Sequence, residues 1–582
     1  MKPPTRTMTS QFALPLAVPL LATENVPLNV RFTDGILLAD FGEAVFGNVR
    51  IKCLCDSLPL SLTVRFGEKL DTAGRIDQAP LGSVNYREIT LPTTPGQRIY
   101  QPVIPPKEFH LRAEPVKMPP AIGEVTPFRF VEIEGDGLRA NSISLAHLFV
   151  HAPFDDSAAD FACSDEGLNA VWHLCKHTIK ATTAFGVYID GERERIPYEA
   201  DAYINMLSHF ACDLDPRVAR ATVEHLLAHP TWPTEWNHHM PMMAAMDYLY
   251  TGELDVATKY YEALKAKLLM EKARADGLLV ASAIVDWPAV ERDNYNNGIT
   301  DPENPKQVGP MVNTVANAFY FHALGQMVLL ADALGKDDDA RVFREAASKV
   351  RSAFQRAFFD PVRRLFTDGE DSDHVSQHAN FFPLAFGLVP EPHIAHIADF
   401  IASKGMACSV YGAQYLLEAL FAAGREDHAI RLMTARGPRT WLRMIEEGST
   451  MTWEAWGPEF KPNLTWNHAW GAAPANLISR FVLGVRPLDP GFSKILIVPR
   501  LGPLKWVRGT VPTPLGPVLL QAEDGASMRL EMEIPEHTSA IVQLPWREQR
   551  SFVVDGRNTH VPSETSFPTV RLSPGRHVLA SR

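Results

Sequence analysis

The chain has 582 residues, 46% of them hydrophobic and 21% charged, with a formal net charge of −12. Such a length calls for two to four domains, each with its own core. The acidic balance argues against nucleic acid or an anionic membrane surface as a partner, since both want a basic face, and no stretch reads as the roughly 20 apolar residues of a spanning helix.

In chain order, Lys2 and Arg6 precede an apolar stretch from Phe12 to Ala22. It resembles a short signal segment, although Pro15 and Pro19 interrupt it and no small-x-small cleavage site follows. Residues 1–25 are therefore expected to be an N-terminal extension or a signal. The expected location is cytoplasmic, or periplasmic if that stretch is a leader. From 26 to 158 the chain reads as a β-sandwich: Asn29-Val-Arg-Phe, Leu62-Thr-Val-Arg-Phe and Phe128-Arg-Phe-Val-Glu-Ile alternate apolar and polar residues. The proline-rich stretch 91–122 reads as loop. The six cysteines include no CxxC pair, and Cys53-Leu54-Cys55 alternates like a strand, so all read as buried free thiols.

At Ser164-Asp165-Glu166 a helix start appears, and the period changes. Amphipathic stretches follow near 199–212, 215–229, 236–251, 254–272, 310–334, 338–358, 376–388, 391–404, 410–422, 425–434 and 465–483. Most are joined by short turns such as Thr251-Gly252. Antiparallel helix pairs without a fixed-length repeat predict a closed ring of hairpins, an (α/α)6 helical barrel over 159–484, rather than an open solenoid. Strand runs return with Lys494-Ile-Leu-Ile-Val and Met528-Arg-Leu-Glu-Met-Glu-Ile, so 485–582 reads as a second β-sandwich. The expected class is multidomain α+β, a central helical barrel flanked by two β-sandwich domains.

Several connections in the helical region are polar and aromatic together, the composition of a sugar site. Rings stack on the C–H faces of a sugar, and carboxyls and amides pair with its hydroxyls. Between Asp190 and Asp201 lie five carboxylates (Asp190, Glu192, Glu194, Glu199, Asp201) and two arginines, Arg193 and Arg195. Arginine beside carboxylate lets one acid stay ionised while burial keeps another protonated, as acid catalysis needs. A solvated charged turn is the plainer alternative. In the second cluster Glu454 stands between Trp453 and Trp456, where an apolar wall makes a carboxylate a better base. The third, Thr465-Trp466-Asn467-His468-Ala-Trp470-Gly471, opens the last helix. Asn467 and His468 can donate to hydroxyls there, or serve only structure. The fourth is Asp286-Trp287-Pro288 with the Asn-rich loop Asn294 to Asn297 after it. The fifth is Trp232, Glu235, Trp236, His238 and His239. Adjacent histidines diverge on a helix and make a poor metal pair, so neither metal nor cofactor is expected.

The order and spacing of these clusters resemble the bacterial α-L-rhamnosidases, six-hairpin enzymes similar to glycoside hydrolase family 78. The resemblance rests on Glu194-Arg195, Tyr198 and Asp201; on Gly448, Thr450, Trp453 and Glu454; on Asn467, His468, Trp470 and Gly471; on Ile495-Leu-Ile-Val-Pro-Arg500; and on Asp286-Trp287. It covers roughly residues 160 to 520. It implies an inverting glycosidase with Glu194 as general acid and Glu454 as general base. It makes Asp190 and Asp201 the acids that hold sugar hydroxyls, and Trp287, Tyr198 and His468 sugar-contacting groups. Arg195, Asp286, Trp453, Trp456, Asn467 and Trp470 complete the expected substrate-binding set. The implied partner is a carbohydrate: a rhamnosylated oligosaccharide, polysaccharide fragment or glycoside. The first motif departs from the family pattern at Asp190-Gly191-Glu192 and at Pro197-Tyr198-Glu199-Ala200, which makes Glu192 and Glu199 rivals for the acid. Competing readings are another barrel glycosidase or lyase for a different sugar such as an unsaturated uronide, which an arginine or lysine facing the pocket would favour, and a non-catalytic sugar-binding protein. A helical scaffold for protein partners is a third.

Overall fold

In the computed structural model, residues 18–55, 58–295, 311–524, 528–544, 551–560 and 569–581 are described. Alternating residues near the N-terminus form strands β1 (Leu21–Asn25), β2 (Asn29–Thr33), β3 (Ile36–Cys53), β4 (Ser61–Gly67), β5 (Tyr86–Pro92), β6 (Ile99–Tyr100), β7 (Thr126–Glu134) and β8 (Ile143–His151). Asp34-Gly35, both at positive φ, close the β2–β3 hairpin with the two-residue turn whose twist suits paired strands. The strands join one hydrogen-bonded sheet in the order β1-β8-β3-β7-β4-β5. β3 pairs with β2 and β7 along its first part and with β8 and β6 along its second. Its register shifts between Asp40 and Val45, where a bulge bends the strand. β1 starts earlier than the expected boundary at 26, because Leu21 and Ala22 pair with His151 and Val150.

β9 (Asp160–Cys163) precedes the first helix. It pairs with β14 (Trp506–Val511) of the C-terminal part. There a four-stranded sheet and a seven-stranded sheet form among the described residues. The four-stranded sheet begins at Val485, as the change in texture predicts.

The helices are α1 (Glu166–Thr182), α2 (Glu199–Cys212), α3 (Arg217–Ala228), α4 (His239–Thr251), α5 (Asp255–Ala266), α6 (Thr314–Ala333), α7 (Asp337–Phe358), α8 (His378–Ala385), α9 (Glu391–Ser403), α10 (Val410–Ala422), α11 (Glu426–Met433), α12 (Trp441–Glu446) and α13 (Ala473–Leu477). Asp165 caps α1 by accepting the Leu168 N–H at 3.0 Å, a contact that stabilises a helix by about 1 kcal/mol. α6 is apolar and long enough to cross a bilayer by length and composition, which the sequence reading missed, but 67% of that window is buried in the helical domain. α12 was not expected; at six residues it is too short for its period to show. α13 and the 3₁₀ turn before it pack on α1 and α2, so the last helical segment lies against the first two. Cys53, Cys163, Cys175, Cys212 and Cys408 are buried free thiols, whereas Cys55, expected to be buried, is only half-buried.

Candidate active site

The acidic loop enters α2, and the tryptophan-rich segment lies between α12 and α13. What joins them is Arg193. Its Nη2 donates to Glu454 Oε1 at 2.8 Å and its Nη1 donates to Glu194, so one guanidinium bridges the two predicted catalytic carboxylates. Glu454 is buried, with 3% exposure, while the Glu194 side chain keeps 21%. Tyr198 donates its hydroxyl to the other Glu194 oxygen at 2.9 Å. Lys461 places its ammonium 3.3 Å from Glu454 Oε1.

Glu454 is held on every side. The Thr465 N–H donates to Glu454 Oε2 at 3.1 Å, the Glu454 N–H donates to the Thr465 carbonyl at 3.0 Å, and the Trp470 indole N–H donates to the Glu454 carbonyl at 3.0 Å. The acid loop is as tightly placed. Asp190 accepts the Ile196 N–H at 3.0 Å, closing the loop on itself. Gly191 has φ +106, and a Cβ there would stand 3.0 Å from the Asn467 carbonyl and 3.1 Å from Thr465 Oγ1. Glycine lets the loop approach that closely, which explains one departure from the family motif.

The carboxyls differ in proton affinity. Burial, reinforced by the charges of Glu194 and Glu454, pushes Asp190 well above the usual carboxylate range. Burial also raises Glu194, but the Arg193 charge and hydrogen bonds from Tyr198 and Asp190 more than offset it and hold Glu194 low. Asp190 therefore has the higher proton affinity of this coupled pair and Glu194 the lower. Asp201, raised by burial, meets His468 Nε2 at 2.7 Å, and burial pushes His468 down to about 3.

Several expected sugar contacts serve the protein's own structure instead. Arg195 is buried and points away from Glu194, donating to Glu192, Glu124 and the Val125 carbonyl. Its backbone φ is +57, so the loop turns there and sends the two neighbouring arginines in different directions. Asn467 clamps the loop: its Oδ1 accepts the Glu192 N–H at 2.8 Å and its Nδ2 donates to Glu68 at 3.0 Å. Trp456 is fully buried, donating to the Cys408 carbonyl at 2.8 Å. Trp453, equally buried, stacks on Trp466 at 5.0 Å. Trp470 is a strut for Glu454, as its indole bond shows. Asp286 is fully buried and accepts from the Trp287 N–H, His378 and both donors of Ser409. It fixes the segment that presents Trp287, which is 44% exposed.

The rivals for the acid are occupied elsewhere. Glu192 is buried against Arg195 and Lys107 and is held low. Glu199 accepts from the N–H and hydroxyl of Thr231. In the fifth cluster Glu235 accepts the N–H groups of Ile284 at 2.8 Å and Val285 at 2.6 Å. That bond pair holds Val285 at φ +69, a conformation unfavourable for a β-branched residue, and thereby orients the Asp286-Trp287 segment. His238 and His239 bond in different directions, to the Leu268 carbonyl and the Tyr415 hydroxyl. Of the Asn-rich loop, Asn296 and Asn297 lie outside the described residues. Among the described residues no group of three or more His, Cys, Asp and Glu side chains is disposed to hold a metal ion.

Sequence reasoning missed Arg193 as the bridge, Lys461 at the base, and the N-terminal contribution. Lys107, Glu124, Glu68 and His110 all come from the sheet domain or its proline-rich loop, and His110 Nε2 lies 2.8 Å from the Glu192 carbonyl. Arg193 stood in the motif, but spacing alone does not say which of two neighbouring arginines turns inward.

The family model described as bacterial α-L-rhamnosidase six-hairpin glycosidase domain matches residues 156–482, and that of the bacterial α-L-rhamnosidase C-terminal domain matches 484–558. The chain belongs to the bacterial α-L-rhamnosidase six-hairpin glycosidase family. An α-L-rhamnosidase of Formosa agariphila is 24% identical over 330 residues, 53% of this chain and 34% of that protein. One from Alteromonas sp. is 26% identical over 295 residues, 47% of this chain and 30% of that protein. The matches thus span about a third of each relative's length. Among solved structures, an α-L-rhamnosidase from Dictyoglumus thermophilum superposes with TM-score 0.79 at 18% identity, over 97% of this chain and 64% of that one. The Streptomyces avermitilis α-L-rhamnosidase complexed with L-rhamnose gives 0.77 at 21% identity, over 97% and 54%. These likenesses carry the fold of this family member.

Proposed function

We propose that the protein is an α-L-rhamnosidase that removes terminal α-L-rhamnose with inversion, its helices closed as an (α/α)6 barrel between two β-sandwich domains. The observation that carries the reading is the pair Glu194 and Glu454, both bonded to the guanidinium of Arg193. A gap wide enough for a guanidinium suits a glycosidic oxygen and an attacking water, and inverting pairs stand about 6.5–9.5 Å apart. Packing of α13 on α1 and α2 supports ring closure. The rhamnosidase names of the relatives support the sugar.

In this mechanism the proton resting on Asp190 passes to Glu194 along their hydrogen bond. Glu194 then protonates the glycosidic oxygen as the C–O bond breaks. Water on the opposite face attacks the anomeric carbon and gives its proton to Glu454. Asp190, now ionised, accepts sugar hydroxyls, and exposed Trp287 offers a ring to the sugar face. Incubating the protein with an aryl α-L-rhamnoside and following the anomeric proton by NMR tests this. β-Rhamnose is expected first. Retained α-rhamnose would refute inversion, and no release of rhamnose would refute the activity.

A further inference from the structure

We propose that Cys53 and Cys55 form a redox site, a dithiol that a low-molecular-weight disulfide such as oxidised glutathione converts reversibly to an internal Cys53–Cys55 disulfide. The pair lies in the N-terminal sheet domain, apart from the sugar site, and the inference is independent of the hydrolase reading. Cys53 is the last residue of β3, and Cys55 follows it at a bend. In a straight strand, residues two apart point the same way but stand about 6.8 Å from each other. Here the two sulfurs are 3.8 Å apart, in contact. The bend is anchored by backbone bonds. The Cys53 N–H donates to the Arg98 carbonyl and the Leu54 N–H to the Ser142 carbonyl, each at 2.8 Å, and Arg98 Nη1 donates to the Cys55 carbonyl.

A disulfide holds its sulfurs at about 2.05 Å, so closure needs an approach of about 1.8 Å, within reach of side-chain rotation on the anchored backbone. Access sets the order of events. Cys55 is half-buried, whereas Cys53 packs in the core of the sheet. Cys55 therefore loses its proton first and attacks one sulfur of oxidised glutathione, expelling one glutathione, which takes up a proton. Cys53 then loses its proton and attacks the Cys55 sulfur of the mixed disulfide, expelling the second glutathione, which is protonated in turn. Two electrons leave the protein and reduce one glutathione disulfide to two thiols. Cys163, Cys175, Cys212 and Cys408 are shielded from the reagent by burial. The closed ring spans only three residues, so it gains little from chain entropy, and the bond is readily reduced again.

The test uses the full chain, reduced, freed of reductant and incubated natively with mixtures of oxidised and reduced glutathione. After acid quenching and alkylation, the intact mass and the peptide spanning Cys53 and Cys55 are read by mass spectrometry. The expected product has lost two hydrogen atoms, carries the link between Cys53 and Cys55, and returns to the dithiol with dithiothreitol. Its fraction should follow a two-electron titration against the glutathione ratio. Cys53→Ser, checked for folding by thermal melting, is expected to stop at a mixed disulfide of Cys55 with glutathione. Cys55→Ser is expected to take up no glutathione under the same conditions. The wild-type mass and peptide decide the matter even if a variant fails to fold. Two free thiols after oxidation, a glutathione that stays on wild-type Cys55, or a dimer linked through Cys55 would each overturn the proposal.

Discussion

The acid loop and the base segment reach one guanidinium by different physics. The loop from Asp190 to Asp201 is fixed by charge: Arg195 to Glu192 and Glu124, Lys107 to Glu192, with Asn467 and Glu68 closing the contact. Most of those partners belong to the N-terminal sheet domain and its proline-rich loop. The base segment is fixed by backbone and aromatic contacts: Thr465 exchanges hydrogen bonds with Glu454, Trp470 donates to its carbonyl, and Trp453 stacks on Trp466. The Glu194 loop thus depends on a second domain and on its ionisation states. The Glu454 segment depends on the core of its own domain.

The largest effect that bears on this contrast is chemical. Glu454→Gln should lower kcat by about 10²–10⁴-fold while leaving sugar binding nearly intact, since the amide keeps the shape but cannot take a proton from water. Near-normal turnover would remove it as base. Glu194→Gln should hurt poor leaving groups by a similar factor and activated aryl rhamnosides far less. A uniform loss across leaving groups would argue against the acid role.

Next in size is the loop's anchor. Arg195→Met leaves Glu192 buried beside Lys107 with its main partner gone, which should cost about 3–5 kcal/mol in chemical denaturation. Wild-type stability in that variant would show that the ion network does not hold the loop.

Much of this was legible in the sequence, and the failures have physical causes. Glu194 and Glu454 stand out in the sequence because carboxylates among arginines and tryptophans are unusual compositions. Local pattern does not decide the direction of residues with one chemistry and two available partners. Trp453, Trp456, Asp286 and Asn467 look like sugar contacts, yet face inward and bond to the protein, because burial depends on tertiary packing that local pattern does not encode. Helices above eight residues were placed by their period, whereas six-residue α12 was not. The pairing of β9 with β14 was not legible, because that partner lies far along the chain.

A smaller effect separates the two regions by pH. Burial raises Glu68 to about 7, against hydrogen bonds from Asn467 and Asn85. A carboxyl raised in the folded state contributes its stability below the unfolded pKa near 4.5 and loses it as pH climbs toward 7. That share is on the order of 3 kcal/mol at about 1.4 kcal/mol per pH unit. Glu68→Gln should therefore flatten the fall in stability between pH 4.5 and 7, measured by urea titration. An unchanged slope would mean that Glu68 does not carry it.

The smallest expected effect probes the base alone. Trp470→Phe removes the indole N–H that donates to the Glu454 carbonyl and keeps a ring against His468, now 4.6 Å away. An unmatched buried carbonyl costs about 1–3 kcal/mol. Because that carbonyl belongs to the base residue itself, kcat should fall by about tenfold, the lower part of that range, with KM little changed. The dependence of rate on leaving group should not move, since nothing in the acid loop bonds to Trp470. If it does move, the aromatic side also sets the acid, and the division between a loop held by charge and a base held by packing fails at its closest point of contact, Arg193.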